Sequence, residues 1–208
     1  MNLVLLLTSQ FLLLSCSLVG IQKEESPKYK VLNKEKNFEI REYAPYIIAK
    51  VTVKGDFHDS SSEAFKILAG YIFGKNKGKK KISMTSPVEI DPGPLKIAMT
   101  SPVEMNQAGD IYTMAFSMPI KFTIQELPDP LDQRIVFEEV KSKIVGAHRF
   151  SWFSSQYKND KKAQDLREWL SHYKEYNAKD NYTYAGYNPP WTLPFLRRNE
   201  IFIKVQKK

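Results

Sequence analysis

The chain has 208 residues and a single cysteine, so it can bury a sizeable core but cannot form an internal disulfide bond. Lysine and arginine number 31 against 23 aspartate and glutamate residues, which gives a net charge of +8 and favours anionic partners. The basic residues are spread along the chain rather than along one helix, which argues against nucleic-acid binding. One principal domain is expected for this length.

Met1–Ile21 is expected to be an export signal that lies outside the fold. The segment has no charged side chain and its first part is rich in leucine, as the apolar region of a signal peptide is. That part ends in Leu13-Leu14-Ser15-Cys16, which resembles a bacterial lipobox. In signals of that kind the peptide is cut before the cysteine, which then carries acyl chains. The resemblance implies a signal peptide over residues 1–15, lipidation at Cys16 and a lipid-anchored tether over residues 16–28.

The same segment leaves two other interpretations open. Leu3–Ile21 contains 19 uncharged residues, which is about the length that spans a bilayer as a helix, so an uncleaved single-pass anchor is one alternative. Secretion after cleavage is the other. We expect the lipoprotein, anchored in the cell envelope and facing the periplasm or the exterior.

Hydrophobic periodicity after the tether predicts an α+β fold with an antiparallel sheet and two helices packed on it. The first helix is expected at Asp59–Phe73 and the second at Asp160–Tyr176. The strands are expected at Tyr29–Asn33, Phe38–Tyr43, Tyr46–Lys54, Ile111–Met118, Ile135–Val140, Lys143–Trp152, Tyr182–Tyr187 and Glu200–Val205.

The first predicted helix has two apolar surfaces. At 100° per residue one side collects four residues that should cover the sheet, namely Phe65, Leu68, Ala69 and Ile72. A second, weaker apolar surface carries Ala64, Ile67, Gly70 and Tyr71. A helix exposed on that side would be charged there, so this surface is interpreted as one wall of a groove.

Two near copies of a nine-residue segment follow the first helix. Lys81–Glu89 and Lys96–Glu104 differ only where Ser83 in the first stands against Ala98 in the second. A Pro/Gly-rich turn separates them, so a hairpin-like excursion is expected, with Ile82 and Met84 on one face.

Ordered segments along the chain resemble the SOUL family of haem-binding proteins, from about Tyr29 to Lys204. They are Phe38–Tyr43, Ala64–Asn76, Lys96–Val103, Phe116–Pro119, Leu127–Pro130, Gly186–Pro190 and Arg197–Ile201. The resemblance implies a domain over residues 29–208 that forms a distorted antiparallel β-barrel of two pseudo-symmetric halves, each with a helix outside. It also implies a hydrophobic groove for a porphyrin, bounded by the first helix and the loop Asn188–Arg198.

A non-covalent haem site needs an apolar slot, cations for the propionates and, optionally, an iron ligand. For the slot we expect Ile67 and Tyr71 from the helix with Trp191, Leu193 and Phe195 from the loop, ordinary packing being the alternative. For the propionates we expect Lys75, Lys77, Arg197 and Arg198, the alternative being solvation or pairing with Glu200. His58, which precedes the first helix, is the histidine we expect nearest the groove.

The sequence shows no nucleophile elbow, zinc-binding histidine pair, phosphate loop or Cys-x-x-Cys motif, so an enzyme is not expected. We expect a membrane-tethered carrier or sequestering protein for haem or another tetrapyrrole. The alternative is an interaction module that uses the same groove for a lipid, a peptide or an envelope protein, without haem.

Overall fold

The computed structural model describes residues 24–92, 111–189 and 191–208. The signal segment with Cys16, the first part of the tether and the second repeat copy Lys96–Glu104 lie outside the described residues. Within the described residues, no helix has the length and hydropathy that crossing a membrane requires.

The described part of the chain contains two helices and nine strands. The helices are α1 (Phe57–Ile72) and α2 (Gln156–Ser171). The strands are β1 (Tyr29–Glu35), β2 (Phe38–Tyr43), β3 (Tyr46–Lys54), β4 (Val88–Pro92), β5 (Ile111–Ser117), β6 (Val136–Val140), β7 (Lys143–Phe150), β8 (Tyr176–Gly186) and β9 (Asn199–Lys207). Short 3-10 turns cover Ile124–Glu126 and Pro194–Leu196.

The strands form one antiparallel sheet in the order β1-β2-β7-β9-β8-β4-β5-β3-β6. The order repeats one pattern twice. In one half the chain runs β3-α1-β4-β5 and β3 lies between β5 and β6, and in the other it runs β7-α2-β8-β9 and β7 lies between β9 and β2. The halves meet where β4 pairs with β8. The predicted α+β class with two pseudo-symmetric halves is therefore confirmed.

The sheet is strongly curved. The Nζ atom of Lys143 in β7 lies 5.3 Å from the ring centroid of Tyr46 in β3 and 3.9 Å from Oε2 of Glu89 in β4. Five strand steps separate β7 from β3, which would place them about 24 Å apart in a flat sheet at ~4.8 Å per step. The contact between Lys143 and Tyr46 therefore requires the sheet to curl back on itself, which fits the distorted barrel that the family resemblance implied.

Each helix covers the outer face of one half. α1 packs on β3 and β5, and α2 packs on β7, β8 and β9. The first core contains Leu68 and Ile72 of α1 with Val51, Met114 and Phe116 of the sheet. Ile82 and Met84 of the first repeat copy contribute to the same core, as their expected common face predicted. The second core contains Leu166 and Leu170 of α2 with Ile40, Ile201 and Ile203.

Capping residues set helix boundaries that differ from the sequence prediction. The Asp56 carboxylate accepts hydrogen bonds from the backbone N–H groups of His58 and Asp59, so α1 begins at Phe57 rather than at Asp59. Ser155 caps α2 in the same way, so that helix begins four residues before its predicted start. It also ends at Ser171, because the residues from Tyr176 onward belong to β8.

A candidate ligand groove between the two helices

The strip of the sheet where β4 pairs with β8 joins the two helix-covered faces. On its outer face Ile90 is buried in the first core, whereas Val88 and Tyr184 are half-buried. Tyr184 is half-buried and contacts both cores, which shows that it lies at the junction of the two halves. We call this strip, together with the two walls described next, the groove.

Phe65 of α1 forms the first wall. Its ring lies 5.6 Å from the ring of Phe116 in β5, with the planes tilted by 62°, and Phe116 pairs directly with Val88 in β4. Phe65 is 37% exposed although it belongs to the apolar side of the helix. It therefore presents a partly exposed aromatic surface over β5, the strand that pairs with β4.

The loop after β8, residues 188–198, forms the second wall. It carries three exposed apolar side chains, Trp191 at 71%, Leu193 at 49% and Phe195 at 57%. The loop is closed at its base, since the Tyr187 N–H donates to the Arg198 carbonyl at 3.2 Å and the Arg198 N–H donates to Oδ1 of Asn188 at 2.6 Å. The exposed side chains are thus carried on an anchored loop.

A buried ionic network anchors the loop from below. The Glu200 carboxylate accepts two hydrogen bonds from Arg41, at 2.6 and 3.0 Å, and two from Arg198, at 3.0 and 2.8 Å. The Tyr187 hydroxyl donates to the same carboxylate at 2.7 Å. Burial alone would raise the pKa of Glu200, but the two arginines and the tyrosine outweigh it and hold that pKa below its usual value. Both ends of the loop, Tyr187 and Arg198, are therefore tied to one internal carboxylate.

The two arginines of the predicted propionate site have different surroundings. Arg198 donates to Glu200 and its guanidinium lies 4.0 Å from the centroid of the Tyr187 ring, so it serves the internal network, as the alternative interpretation expected. Arg197 donates from Nε to the Thr192 carbonyl at 2.9 Å, and its guanidinium lies 4.7 Å from the centroid of the Phe153 ring. Arg197 is therefore the arginine that lies among the exposed aromatic residues.

The predicted helix residues lie on the other flank of α1. Tyr71 is 1% exposed, its hydroxyl donates to the Pro128 carbonyl at 3.0 Å, and its ring lies 5.5 Å from that of Phe137 in β6. Ala64 is buried as well, and Ile67 packs against the same core. The expected second apolar surface of α1 is thus part of the core. The opposite flank carries Phe65, which is 37% exposed.

The two predicted lysines accompany Tyr71 rather than the loop. Nζ of Lys77 forms an ion pair with Asp129 at 3.1 Å. The Lys75 carbonyl accepts a hydrogen bond from the Leu131 N–H. Both contacts lie in the segment that leads to β6, while residues 188–198 follow β8 on the other side of β4. The structure therefore does not bring Lys75 and Lys77 together with Arg197 and Arg198.

His58 keeps a position compatible with the groove. It lies seven residues, or about two helical turns, before Phe65 and so on the same side of α1. Its side chain is 90% exposed and lies beside Asp59. Among the described residues no cluster of His, Cys, Asp and Glu is arranged to hold a metal ion. An iron contact from His58 stays a prediction.

A separate cavity of about 330 Å³ lies elsewhere in the fold. Its lining includes residues 25–28, the turn between β2 and β3, and residues 117–120 and 122–125. None of the predicted site residues within the described part of the chain lines this cavity. The aromatic side chains of Phe65, Trp191 and Phe195 are exposed at the surface instead.

Fold and site together define an α+β domain of two pseudo-symmetric halves, with exposed aromatic side chains on α1 and on the loop after β8. The family model described as SOUL heme-binding protein matches residues 24–204. The chain therefore belongs to the SOUL family. It is 31% identical over 176 residues to Heme-binding protein 2 of Homo sapiens, covering 82% of this chain and 78% of that protein. It is 30% identical to Heme-binding protein 1 of Xenopus tropicalis, covering 80% and 83%.

Solved structures of low sequence identity share the fold. The crystal structure of the EcmrR C-terminal domain aligns with a TM-score of 0.57 at 12% identity and covers 86% of this chain and 99% of that one. An uncharacterised conserved protein from Listeria innocua aligns with a TM-score of 0.57 at 10% identity, covering 83% and 93%. These likenesses confirm the architecture.

Proposed function

We propose that this protein binds haem or a related tetrapyrrole non-covalently in the groove and acts as a carrier or sequestering protein rather than an enzyme. The observation that carries the proposal is the set of exposed aromatic side chains near the seam of β4 and β8, which are Phe65 of α1 and Trp191 and Phe195 of the loop 188–198. Membership of a haem-binding family and two relatives whose names describe haem binding support it.

The side chains of the groove fit a flat, largely apolar ligand with acidic groups at its edge. Phe65, Trp191 and Phe195 supply ring faces and edges that an aromatic macrocycle can stack on. Arg197 lies two residues after Phe195 in the same loop, and a guanidinium can bind a carboxylate through two hydrogen bonds. His58 lies along the same side of α1 as Phe65 and offers a nitrogen to iron. The ligand would supply the tetrapyrrole ring and its iron, and the protein would supply apolar cover and charge.

A hemin titration of paired variants tests the proposal. Phe65→Ala with Trp191→Ala removes one ring from each wall, and we expect hemin affinity to fall at least ~10-fold, because two aromatic stacking contacts of ~1 kcal/mol each are lost. The Soret shift against protein concentration gives the affinity. Leu131→Ser is the matched control, since it removes a 63%-exposed apolar side chain outside the groove and should leave the affinity unchanged.

Two outcomes of this titration would contradict haem binding in the groove. One is a wild-type protein that gives no Soret shift at micromolar concentration, which would favour an interaction module for a lipid, a peptide or an envelope protein. The other is a double variant that binds hemin as tightly as the wild type, which would place haem elsewhere on the protein.

We further propose that Cys16 attaches the protein to a membrane of the cell envelope. The support is the Leu-Leu-Ser-Cys sequence that ends the uncharged leucine-rich segment. Cys16→Ser should abolish incorporation of labelled acyl chains and leave the precursor uncleaved, as measured by lipid labelling and intact mass. Membrane retention of the wild type at full precursor mass would instead identify Leu3–Ile21 as an uncleaved anchor.

A further inference from the structure

Six large apolar side chains are exposed on two adjoining loops and the first turn of α2, and three of them lie outside the groove assigned above. We call this set the aromatic patch. It consists of Trp152, Phe153, Tyr157, Trp191, Leu193 and Phe195, which are 57%, 59%, 80%, 71%, 49% and 57% exposed. Single exposed apolar residues are ordinary on protein surfaces, but a contiguous set of this size marks an interaction surface.

Backbone hydrogen bonds join the two loops of the patch. The Trp152 N–H donates to the Pro194 carbonyl at 2.8 Å, and Nδ2 of Asn199 donates to the Trp152 carbonyl at 2.8 Å. The Arg197 guanidinium lies 4.7 Å from the centroid of the Phe153 ring. The loop after β7 and the loop after β8 therefore form one surface rather than two independent projections.

Trp152 has a backbone conformation that bulky residues rarely adopt. Its φ angle is +79°, in the left-handed region that favours glycine. Its N–H and its carbonyl are both hydrogen-bonded, so the surrounding structure holds it there. This conformation does not serve to bury the indole, which is 57% exposed. A strained residue with an exposed aromatic side chain indicates a role at the surface.

Cations surround the patch. Residues 149–162 and 188–198 contain a single acidic residue, Asp160, whose carboxylate accepts hydrogen bonds from Gln156 and Tyr182. The same two ranges contain six basic residues, Arg149, Lys158, Lys161, Lys162, Arg197 and Arg198. Two of them adjoin the patch, since the Arg197 guanidinium lies over the Phe153 ring and Nζ of Lys158 donates to the Ser151 and Phe153 carbonyls. Lys162 pairs with Asp165 and Arg198 with Glu200. The patch is thus apolar at its centre and positive at its margin.

We propose that the aromatic patch docks on an anionic lipid surface. Tryptophan, tyrosine and phenylalanine are the side chains that partition into the boundary between headgroups and acyl chains. The surrounding lysines and arginines match anionic headgroups, each contributing where it approaches the phosphate layer. The uncharged segment Leu3–Ile21 would bring the domain close to such a surface. Docking through the patch orients the domain independently of how that segment is attached.

Tryptophan fluorescence of the full chain on vesicles tests this docking. Trp152 and Trp191 lie in the patch, whereas Trp169 is 7% exposed and packs in the α2 core. Vesicles that contain phosphatidylglycerol and brominated acyl chains should quench the emission of the wild type by at least half. A variant with Trp152→Phe and Trp191→Phe retains only Trp169 and should show no quenching. Because the N-terminal segment can hold the protein on vesicles by itself, indole depth rather than co-sedimentation is the readout.

A second pair of variants removes patch side chains without removing the reporters. Phe153→Ser with Tyr157→Ser should reduce quenching at least threefold, and Ile120→Ser with Leu131→Ser should leave it unchanged, because those residues are exposed outside the patch. Vesicles of phosphatidylcholine alone should quench less than those with phosphatidylglycerol, and added salt should reduce the difference.

Three results would overturn the proposal. The first is that anionic vesicles do not quench the emission of the wild type, and the second is that the two double-serine variants are quenched to the same degree. The third is a dimer that forms without lipid and shields Trp152 and Trp191 from aqueous iodide. No hemin is present in these experiments, so their outcome is independent of the haem titration.

Discussion

At the scale of single residues, the internal carboxylate of Glu200 links the interior of the sheet to the groove. Glu200 is fully buried and Arg41 is 2% exposed, and they meet through two hydrogen bonds across β2 and β9. Arg198 and Tyr187, which flank the loop, share the same carboxylate. A buried ion pair of this kind is destabilising when one partner is removed, because the other charge stays buried and unpaired.

Glu200→Gln is therefore expected to lower the free energy of unfolding by about 3 kcal/mol at pH 7. The pKa of Glu200 is lowered in the folded protein, so its contribution is fully present above the unfolded value of about 4.3 and is lost as pH falls through the folded value. Urea unfolding at several pH values measures this, and the difference between wild type and variant should shrink below pH ~4. A difference that stays constant down to pH 3 would contradict the assigned pKa.

At the scale of elements, the contact between α2 and β7 depends on a glycine. A Cβ atom added at Gly146 would lie 2.7 Å from Cδ1 and 2.9 Å from Cδ2 of Leu170. Leu170 is 3% exposed and belongs to the α2 core, so it has no space to move into. Helix and strand can approach this closely only because Gly146 has no side chain.

Gly146→Ala should cost about 2 kcal/mol of folding free energy, because it overpacks the α2 core. In a Leu170→Ala background the same change should cost close to zero, since the conflicting methyl groups are gone. Urea unfolding of the four proteins gives the coupling energy. Gly70→Ala in α1 is the control. Its Cβ would meet only the flexible side chain of Lys75, so this substitution should leave the free energy of unfolding unchanged or raise it. Additive losses at positions 146 and 170 would refute the contact.

At the scale of the whole molecule, the described strands of the two halves are joined by backbone hydrogen bonds at the seam where β4 pairs with β8. Tyr184 lies on that seam, contacts both cores and donates from its hydroxyl to Oδ1 of Asn199 at 2.8 Å. The halves therefore share side-chain packing as well as backbone hydrogen bonds. Ligand binding over this seam would contact both halves at once.

Tyr184→Ala should destabilise both halves, by about 2 kcal/mol in total for a half-buried aromatic side chain. Hydrogen exchange should then speed up in α1 and α2 together, whereas Tyr184→Phe, which removes only the hydroxyl, should have a smaller effect on both. Faster exchange confined to α2 would show that the halves unfold independently and that the seam does not couple them.

The sequence determined the class of fold because hydrophobic periodicity reports which residues face a core. Seven of the eight predicted strands overlap elements with nearly the predicted bounds, and the eighth, predicted at Tyr182–Tyr187, is the last part of β8. The strand β4 was expected only as part of a hairpin-like excursion formed by the repeat. In the structure only the end of the first repeat copy belongs to a strand, and Lys81–Pro87 before it has no helix or strand. Helix starts were missed by two and four residues, because Asp56 and Ser155 were not recognised as caps.

The positions of the candidate site residues depended on the tertiary structure more than the class of fold did. The pattern of α1 identifies its apolar residues but not the neighbour on each flank, so Tyr71 was assigned to the groove and Phe65 to the core. In the structure Tyr71 is buried and contacts Phe137 of β6, whereas Phe65 contacts Phe116 of β5 and stays 37% exposed. Trp191 and Phe195 were expected in the groove from the family resemblance of their loop, and the structure leaves both exposed. Their proximity to Trp152 could not be predicted from the sequence, because only hydrogen bonds between distant loops create it.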